Sequence, residues 1–304
     1  MREQLADALR CPRCLADRSL ELAIARRDAR EVRDGELACV RCGARFPVFE
    51  GVADLLPDPP AFVARESAGL ERFAQVMRAD GWDGERLRRL PDVDLPYWHG
   101  QRRAIDALLA RHELVPGALL ADIGSNTCWA SRIFAERGLR VIALDVALGD
   151  LQGLGAAEHQ LDSGVYFERV RSTMFAPAIA SASLDYVFCC EVLHHNDPAH
   201  LRRTLRELHR VLRAGGRLFL VNEPMRFPLM RKRDHGREVA EFEGNEHVYY
   251  LHEYYLAARL AGFQVKIPAL APARAASRRS RARALWRHLV AGDTPLTMDC
   301  RKPR

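Results

Sequence analysis

Lysine is nearly missing from this chain. Only Lys232, Lys266 and Lys302 carry it, and the rest of the 46 basic residues are arginine. A GC-rich coding bias would produce that imbalance without selection for binding, so the net charge of +6 does not by itself select a nucleic-acid partner. No apolar run approaches the ~18–20 residues of a spanning helix, so no membrane span is expected. The opening MREQLADALRCPRC has no apolar segment of the secretory kind, and the expected location is the cytoplasm. Low-complexity tracts are missing too. What is present, 48% apolar and 28% charged residues over 304 positions, is an ordinary globular balance for about two domains.

Of eight cysteines, four form two C-x-x-C pairs near the start, and the others are Cys128, Cys189, Cys190 and Cys300. Adjacent Cys189 and Cys190 fall in an apolar run that reads as a strand, where neighbours face opposite sides. A disulfide framework is therefore not expected, and a reducing compartment is.

Along the chain, residues 1–58 read as a small strand-rich unit ending in the linker Pro57-Asp58-Pro59-Pro60. Residues 59–115 read as mostly helical, interrupted at LPYWHG (95–100). From 116 to 304 strands alternate with helices. Strands are expected at 118–124, 140–146, 165–171, 184–192, 217–224, 264–269 and 296–300. Helices are expected at 125–138, along the Leu201, Leu205, Leu208, Val211 and Leu212 stripe up to Gly215-Gly216, and at 252–263, with a basic helical insert at 273–290. Alternation of this kind predicts an α/β fold, a Rossmann-like parallel sheet with helices on both faces.

Cys11-Pro-Arg-Cys14 and Cys39-Val-Arg-Cys42-Gly43 supply two knuckles. Four thiolates at that spacing suit a tetrahedral Zn²⁺ with ~2.3 Å bonds. With four protein ligands no position is left for a reacting water, so the metal is expected to be structural. A unit this small also needs such a staple. The stretch from Leu9 to Pro57, with Gly51-Val-Ala-Asp-Leu-Leu-Pro57 as its tail, resembles the zinc-ribbon proteins that activate tRNA and release-factor methyltransferases, and their bacterial relatives.

The run Ala121-Asp122-Ile123-Gly124-Ser125-Asn126-Thr127-Cys128 leaves an apolar strand and opens a helix. About twenty residues on, Asp145 ends the next strand, where a carboxylate is placed to accept both hydroxyls of a ribose. A dinucleotide site needs G-x-G-x-x-G for its pyrophosphate. Here the frame is Gly124, Asn126 and Trp129. The turn favours S-adenosyl-L-methionine, which has an amino-acid tail and no phosphate, over a nicotinamide cofactor. A fold that binds neither is the third alternative.

Residues 116–224 resemble a class I S-adenosylmethionine-dependent methyltransferase of the methyltransferase domain 11 type. The match lies in D-x-G at 122–124, in Asp145, and in SLDYVFCCEVLHHNDPAHLRRTLRELHRVLRAGGRLFLVNEP (183–224). The resemblance implies that Asp122, Gly124, Ser125 and Asn126 line the methionine half, that Asp145 holds the ribose with Val146 against the adenine, and that Cys190 or Glu191 lies beside the tail. Two positions depart from the pattern. Cys128 stands where the third glycine usually is. Arg171-Ser172-Thr173-Met174 replaces the usual acid after the third strand, leaving Ser172 or a backbone group, beside Met174, to meet the adenine.

Methyl transfer to an oxygen or nitrogen that must lose a proton needs a base, and His194 and His195 follow the fourth strand. A cluster from Glu243 to Glu253, the Asn222-Glu223-Pro224 strand end, and Tyr97-Trp98-His99 are further candidates for acceptor binding or a lid. The expected acceptor is a small molecule. RNA is the second acceptor class, held by the ribbon and the arginines between Arg274 and Arg287. A non-catalytic binding module on the same fold is the third reading. Nothing in the sequence sets the oligomeric state.

Overall fold

The computed structural model of the chain describes residues 1–161, 164–226, 247–268 and 295–304. Its first strands are β1 (Leu20–Arg27), β2 (Val32–Cys39), β3 (Arg45–Phe49) and β4 (Val52–Asp54). There follow β5 (Leu119–Ile123), β6 (Arg140–Asp145), β7 (Glu168–Arg171), β8 (Leu184–Cys190) and β9 (Leu212–Glu223). The last are β10 (Met225–Arg226), β11 (Tyr249–Tyr250), β12 (Gln264–Lys266) and β13 (Leu296–Arg301). Among the described residues, one sheet runs β1-β2-β3-β4-β7-β6-β5-β8-β9-β13-β12, and β10 and β11 form a separate parallel pair. Strands β7, β6, β5, β8 and β9 are parallel, while β13 runs antiparallel between β9 and β12.

The buried strands alternate their side chains between two layers, as a pleated strand requires. Ala121, Ile123, Ile142, Leu144, Val187 and Cys189 face one core. Leu120, Val141, Ala143, Phe188 and Phe219 face the other, with Cys190 packed against it. Cys189 and Cys190 thus lie on opposite faces, and the eight cysteines are free thiols.

Helices α1 (Ala61–Ala79), α2 (Gly84–Arg88), α3 (Pro96–Arg111), α4 (Trp129–Glu136), α5 (Ala157–Leu161), α6 (Leu201–Val211) and α7 (Leu251–Leu260) flank the sheet. On α6, Leu201, Leu205, Leu208 and Val211 recur at helical spacing and are buried. Each such side chain stabilises the fold by about 1.5–3 kcal/mol relative to leaving it in water. Pro96 sits at the start of α3, where its missing N–H costs nothing, so the LPYWHG interruption is a helix beginning.

Several boundaries differ from the sequence expectation. The helix expected from Ser125 begins at Trp129, because Asn126 (φ 43°) and Cys128 (φ 56°) take left-handed backbone conformations ahead of it. The helix expected to run to Gly215-Gly216 stops at Val211, and both glycines lie inside β9. The β8–β9 register jumps between Leu184 and Tyr186, so the glycines form a bulge. A Cβ on Gly216 would lie 2.9 Å from the Arg213 carbonyl oxygen and 3.0 Å from that of Asp185, so only glycine fits there. Strand β7 begins at Glu168 rather than 165 and β12 ends at Lys266 rather than 269. The basic insert lies outside the described residues.

The cysteine-rich segment adds its strands to the edge of the sheet. Strand β4 pairs in parallel with β7, register Val52–Arg169, Ala53–Val170 and Asp54–Arg171. Behind that seam lies a buried ionic cluster. Arg169, 1% exposed, contacts both Glu31, 0% exposed, and Glu158. Arg33 donates to Glu31 at 2.9 Å and to Glu158 at 2.8 Å. The Met1 ammonium donates to Glu31 at 2.8 Å. Burial by itself pushes both carboxyls up, but the Arg169 guanidinium and its neighbours overcome it, holding Glu31 below its ordinary value and Glu158 at about 2.

Candidate metal centre and cofactor cleft

The two C-x-x-C pairs fold into matching turns. The Leu15 N–H donates to the Cys11 carbonyl at 2.9 Å, and the Gly43 N–H to the Cys39 carbonyl at 2.9 Å. Leu15 (φ 60°) and Gly43 (φ 72°) both take the left-handed conformation that such a turn needs. The four sulfurs of Cys11, Cys14, Cys39 and Cys42 all lie within 4.8 Å of one another, with Cys11–Cys42 at 3.7 Å and Cys14–Cys39 at 3.6 Å. A tetrahedron with ~2.3 Å metal–sulfur bonds has edges of about 3.8 Å. The donor set and its spacing therefore fit zinc.

The second region is at the carboxyl ends of the parallel strands, where neighbouring tips are tied together. At the β5 tip, the Gly124 and Ser125 N–H groups donate to the Leu144 carbonyl at 2.8 and 3.1 Å. The Asn126 N–H donates to the Asp145 carboxylate at 2.8 Å, as do those of Val146 at 2.7 Å and Ala147 at 3.0 Å. The Ser172 N–H donates to the Asp145 carbonyl at 3.0 Å. Asp122, Gly124, Ser125, Asn126, Asp145 and Val146 are thus brought together. Gly124 (φ 69°) cannot carry a side chain, because a Cβ would lie 2.1 Å from Val192 Cγ2.

Burial pushes the Asp145 carboxyl up, against the three backbone amides that pull it down. Asp122 is also buried, and despite the Ser131 hydroxyl at 2.6 Å its carboxyl is pushed up to about 7. The departure at Cys128 is accommodated by its left-handed backbone, and its thiol turns to Ser125 Oγ at 3.7 Å and the Asn126 carbonyl at 3.5 Å. Ser172 Oγ accepts from the Ala178 N–H at 3.0 Å and reaches the Ala176 carbonyl at 3.4 Å, so its hydroxyl is committed within its own loop. Met174 packs at the margin of the first core.

At the β8 tip, Cys190 Sγ contacts Gln101 Oε1 at 3.1 Å, and that oxygen also accepts from Asn222 at 2.9 Å. Glu191 (φ 50°) accepts from the Tyr97 hydroxyl at 2.6 Å. Burial pushes its carboxyl up, partly offset by that hydroxyl. Trp98 packs edge-on against Trp129, centroids 5.9 Å apart, at the margin of the second core. His194 Nδ1 lies 3.2 Å from Glu223, and His195 Nδ1 lies 2.8 Å from Glu66 on α1, the two rings 4.1 Å apart. Helix α1 also touches the β6 tip, through Ser67 to the Val146 carbonyl at 3.5 Å, and its Phe62 ring lies tilted against Phe175 after β7, centroids 5.5 Å apart. Glu66, Gln101 and Gln152, which binds Asn126 at 2.7 Å, carry no motif signal in the sequence. The acids Glu243 and Glu246 and the arginines from Arg274 to Arg287 lie outside the described residues.

Whether the turn fits a nucleoside ligand can be tested on its polar atoms. Asn126 Oδ1 and Thr127 Oγ1 are buried with no hydrogen-bond partner among the described residues. Two orphaned polar atoms beside a strand-end carboxylate are groups that a bound molecule would satisfy.

Comparison with known proteins gives the same region. Residues 121–220 match the family model described as a methyltransferase domain. The malonyl-[acyl-carrier protein] O-methyltransferase of Serratia marcescens is 37% identical over 119 residues, 38% of this chain and 42% of that protein. The ubiquinone biosynthesis O-methyltransferase of Xanthomonas campestris pv. campestris (strain B100) is 36% identical over 158 residues, 50% of this chain and 59% of that protein. The chain thus spans about half the length of these relatives. A solved structure of Haemonchus contortus phosphoethanolamine N-methyltransferase 2 with S-adenosyl-L-methionine is similar at a TM-score of 0.51 and 16% identity, over 67% of this chain and 53% of that one. A geranyl diphosphate C-methyltransferase from Streptomyces coelicolor A3(2) is similar at a TM-score of 0.51 and 14% identity, over 68% and 81%. Together with the strand order and the tied strand tips, these matches show a Rossmann-like class I methyltransferase fold, extended at its N-terminal edge by a four-cysteine element that fits zinc.

Proposed function

We propose that this chain is an S-adenosyl-L-methionine-dependent methyltransferase that transfers a methyl group in line to an oxygen or nitrogen of a small-molecule acceptor. The observation that carries the reading is the Gly124–Cys128 turn, with its orphaned Asn126 and Thr127 oxygens beside the buried Asp145. When bound, the cofactor would supply a methyl group already activated on a sulfonium, so the protein's work is alignment and exclusion of water. Asp145 would hold the ribose, Val146 and Phe175 would flank the adenine, and Glu191 would face the amino group of the methionine half. The backbone of Gly124–Asn126 would border the tail. His194 or His195 would take the proton that the acceptor loses. Both curated relatives bear the name O-methyltransferase, which supports an oxygen acceptor.

In the same reading, residues 1–58 form a structural zinc unit, 59–115 a helical segment across the cleft, and 116–304 the methyltransferase domain. No described helix is long and apolar enough to cross a membrane. Calorimetry of the full-length chain with S-adenosylhomocysteine tests the proposal. One binding event per chain is expected, with a rise in melting temperature. Absence of both heat and thermal shift would leave the fold as a binding module and overturn the enzyme reading.

A further inference from the structure

Glu223, at the end of β9, is a carboxylate with no exposed surface, yet it is saturated with donors. Its Oε1 accepts the Val192 N–H at 3.0 Å and the Leu193 N–H at 2.9 Å. Its Oε2 meets His194 Nδ1 at 3.2 Å and the Tyr254 hydroxyl at 3.5 Å. The first pair fixes the carboxylate's orientation, since backbone amides can only donate. As an ionised carboxylate, Glu223 can only accept at its remaining oxygen, so His194 presents Nδ1–H to it. A neutral imidazole with its proton on Nδ1 has its lone pair on Nε2. His194 Nε2 has no hydrogen-bond partner among the described residues.

We infer that Glu223 is a positioning residue that selects the His194 tautomer with a basic Nε2, equipping His194 to take the acceptor proton. The inference rests on the methyltransferase reading for its purpose, although the tautomer itself can be tested without it. His195 Nδ1 also meets a carboxylate, Glu66 at 2.8 Å, but from helix α1 rather than from the sheet. The other groups facing the His194 ring are His195 itself at 4.1 Å, Glu191, and the Tyr254 hydroxyl, while the His247 N–H holds the His194 carbonyl at 2.6 Å. None of these supplies a second acceptor hydrogen-bonded to the ring nitrogen among the described residues.

The isosteric change Glu223→Gln makes the argument sharp. The glutamine oxygen must stay on the Val192 and Leu193 amides, because an NH₂ group there would oppose two donors. Its NH₂ is then turned toward His194, whose Nδ1 must become the acceptor and whose proton moves to Nε2. The change should reverse the tautomer rather than loosen it. In serine-protease triads the corresponding carboxylate-to-amide change, by installing the wrong tautomer, lowers turnover about 10⁴-fold.

The test is long-range ¹H–¹⁵N spectroscopy of the histidine rings in the ¹⁵N-labelled full-length chain, above the imidazole titration range, with His194 assigned by its loss in His194→Asn. The wild type should show a protonated Nδ1 and an unprotonated Nε2. Glu223→Gln should show the opposite, while Glu66→Gln and Tyr254→Phe should leave the His194 pattern as in the wild type. A wild-type His194 carrying its proton on Nε2, or a Glu223→Gln spectrum unchanged from the wild type, would overturn the inference. The wild-type arm stands even if the variant does not fold. Calorimetry with S-adenosylhomocysteine separates the two proposals, since a correct tautomer in a chain that binds no cofactor removes the function and leaves the dyad.

Discussion

The cysteine-rich edge and the strand-end cleft solve opposite problems. At the edge, side chains do the binding: four sulfurs converge, and the backbone serves only to turn the chain at Leu15 and Gly43. In the cleft, backbone does most of the work: N–H groups at 124, 125 and 126 tie two strand tips together, those at 146 and 147 hold the Asp145 carboxylate, and left-handed residues at 126 and 128 shape the turn. A site made of side chains fails when one ligand is removed. A site made of backbone tolerates many substitutions but not a added atom in the wrong place, as Val192 against Gly124 shows.

The largest effect that would sharpen this contrast is expected from Cys39→Ser. It should abolish bound zinc, measured by elemental analysis. Structural zinc in finger peptides contributes about 10–16 kcal/mol, so the edge should open while the core persists. Hydrogen exchange should rise over residues 1–56 and not over β5, β6, β8 and β9. Metal retained at the wild-type level would break the comparison. Arg169→Leu comes next. It leaves the buried Glu31 with only Arg33 and the Met1 ammonium, and should cost up to about 3–5 kcal/mol in urea unfolding. An unchanged midpoint would show that the ionic seam does not hold the two regions together.

Asp145→Ala should weaken S-adenosylhomocysteine binding about 10- to 100-fold by calorimetry, the scale of a hydrogen bond to a charged group. Wild-type affinity would remove Asp145 from the site. Acid should then separate the regions by sign. Glu158, held at about 2 against an ordinary 4.5, stabilises the seam fully above pH 4.5, and that contribution is lost as pH falls toward 2. Asp122, pushed to about 7 from 3.8, does the reverse: its ionisation opposes folding, and the penalty is relieved as pH falls from 7 toward 3.8. Exchange protection factors, taken relative to the intrinsic rate at each pH, should therefore rise at the β5 turn before they fall at the seam as pH goes from 7 to 3. The same trend in both would refute the assignment. The smallest effect is expected from Ser67→Ala, whose contact with the Val146 carbonyl is a long 3.5 Å; thermal unfolding should move by no more than about 0.5 kcal/mol.

Local features were legible in the sequence, and long-range partners were not. The C-x-x-C spacing foretold four converging sulfurs, and the alternation at 118–124 and 140–146 foretold two buried parallel strands. The turn was harder. A helix start at Ser125 looked natural, but the tie from Asn126 to Asp145 holds the chain out of helical geometry until Trp129. Gly215-Gly216 reads as a helix stop, and only the neighbouring strand explains why it is a bulge. That β4 would seek β7, more than a hundred positions away, has no signature in either segment, since both are short and apolar in part. The Glu66–His195 and Glu223–His194 pairs are likewise set by helix and strand placement, not by spacing.

The parallel seam between β4 and β7 also has a consequence for association. It covers what would otherwise be the bare rim of β7 and moves the outer rim to β1, whose far end carries Arg26 and Arg27. At the opposite rim β12 is three residues long and includes Lys266. Charged or very short border strands make poor templates for another chain's backbone. A sheet this wide thereby presents, among its described residues, two borders that discourage open-ended stacking of one molecule on the next.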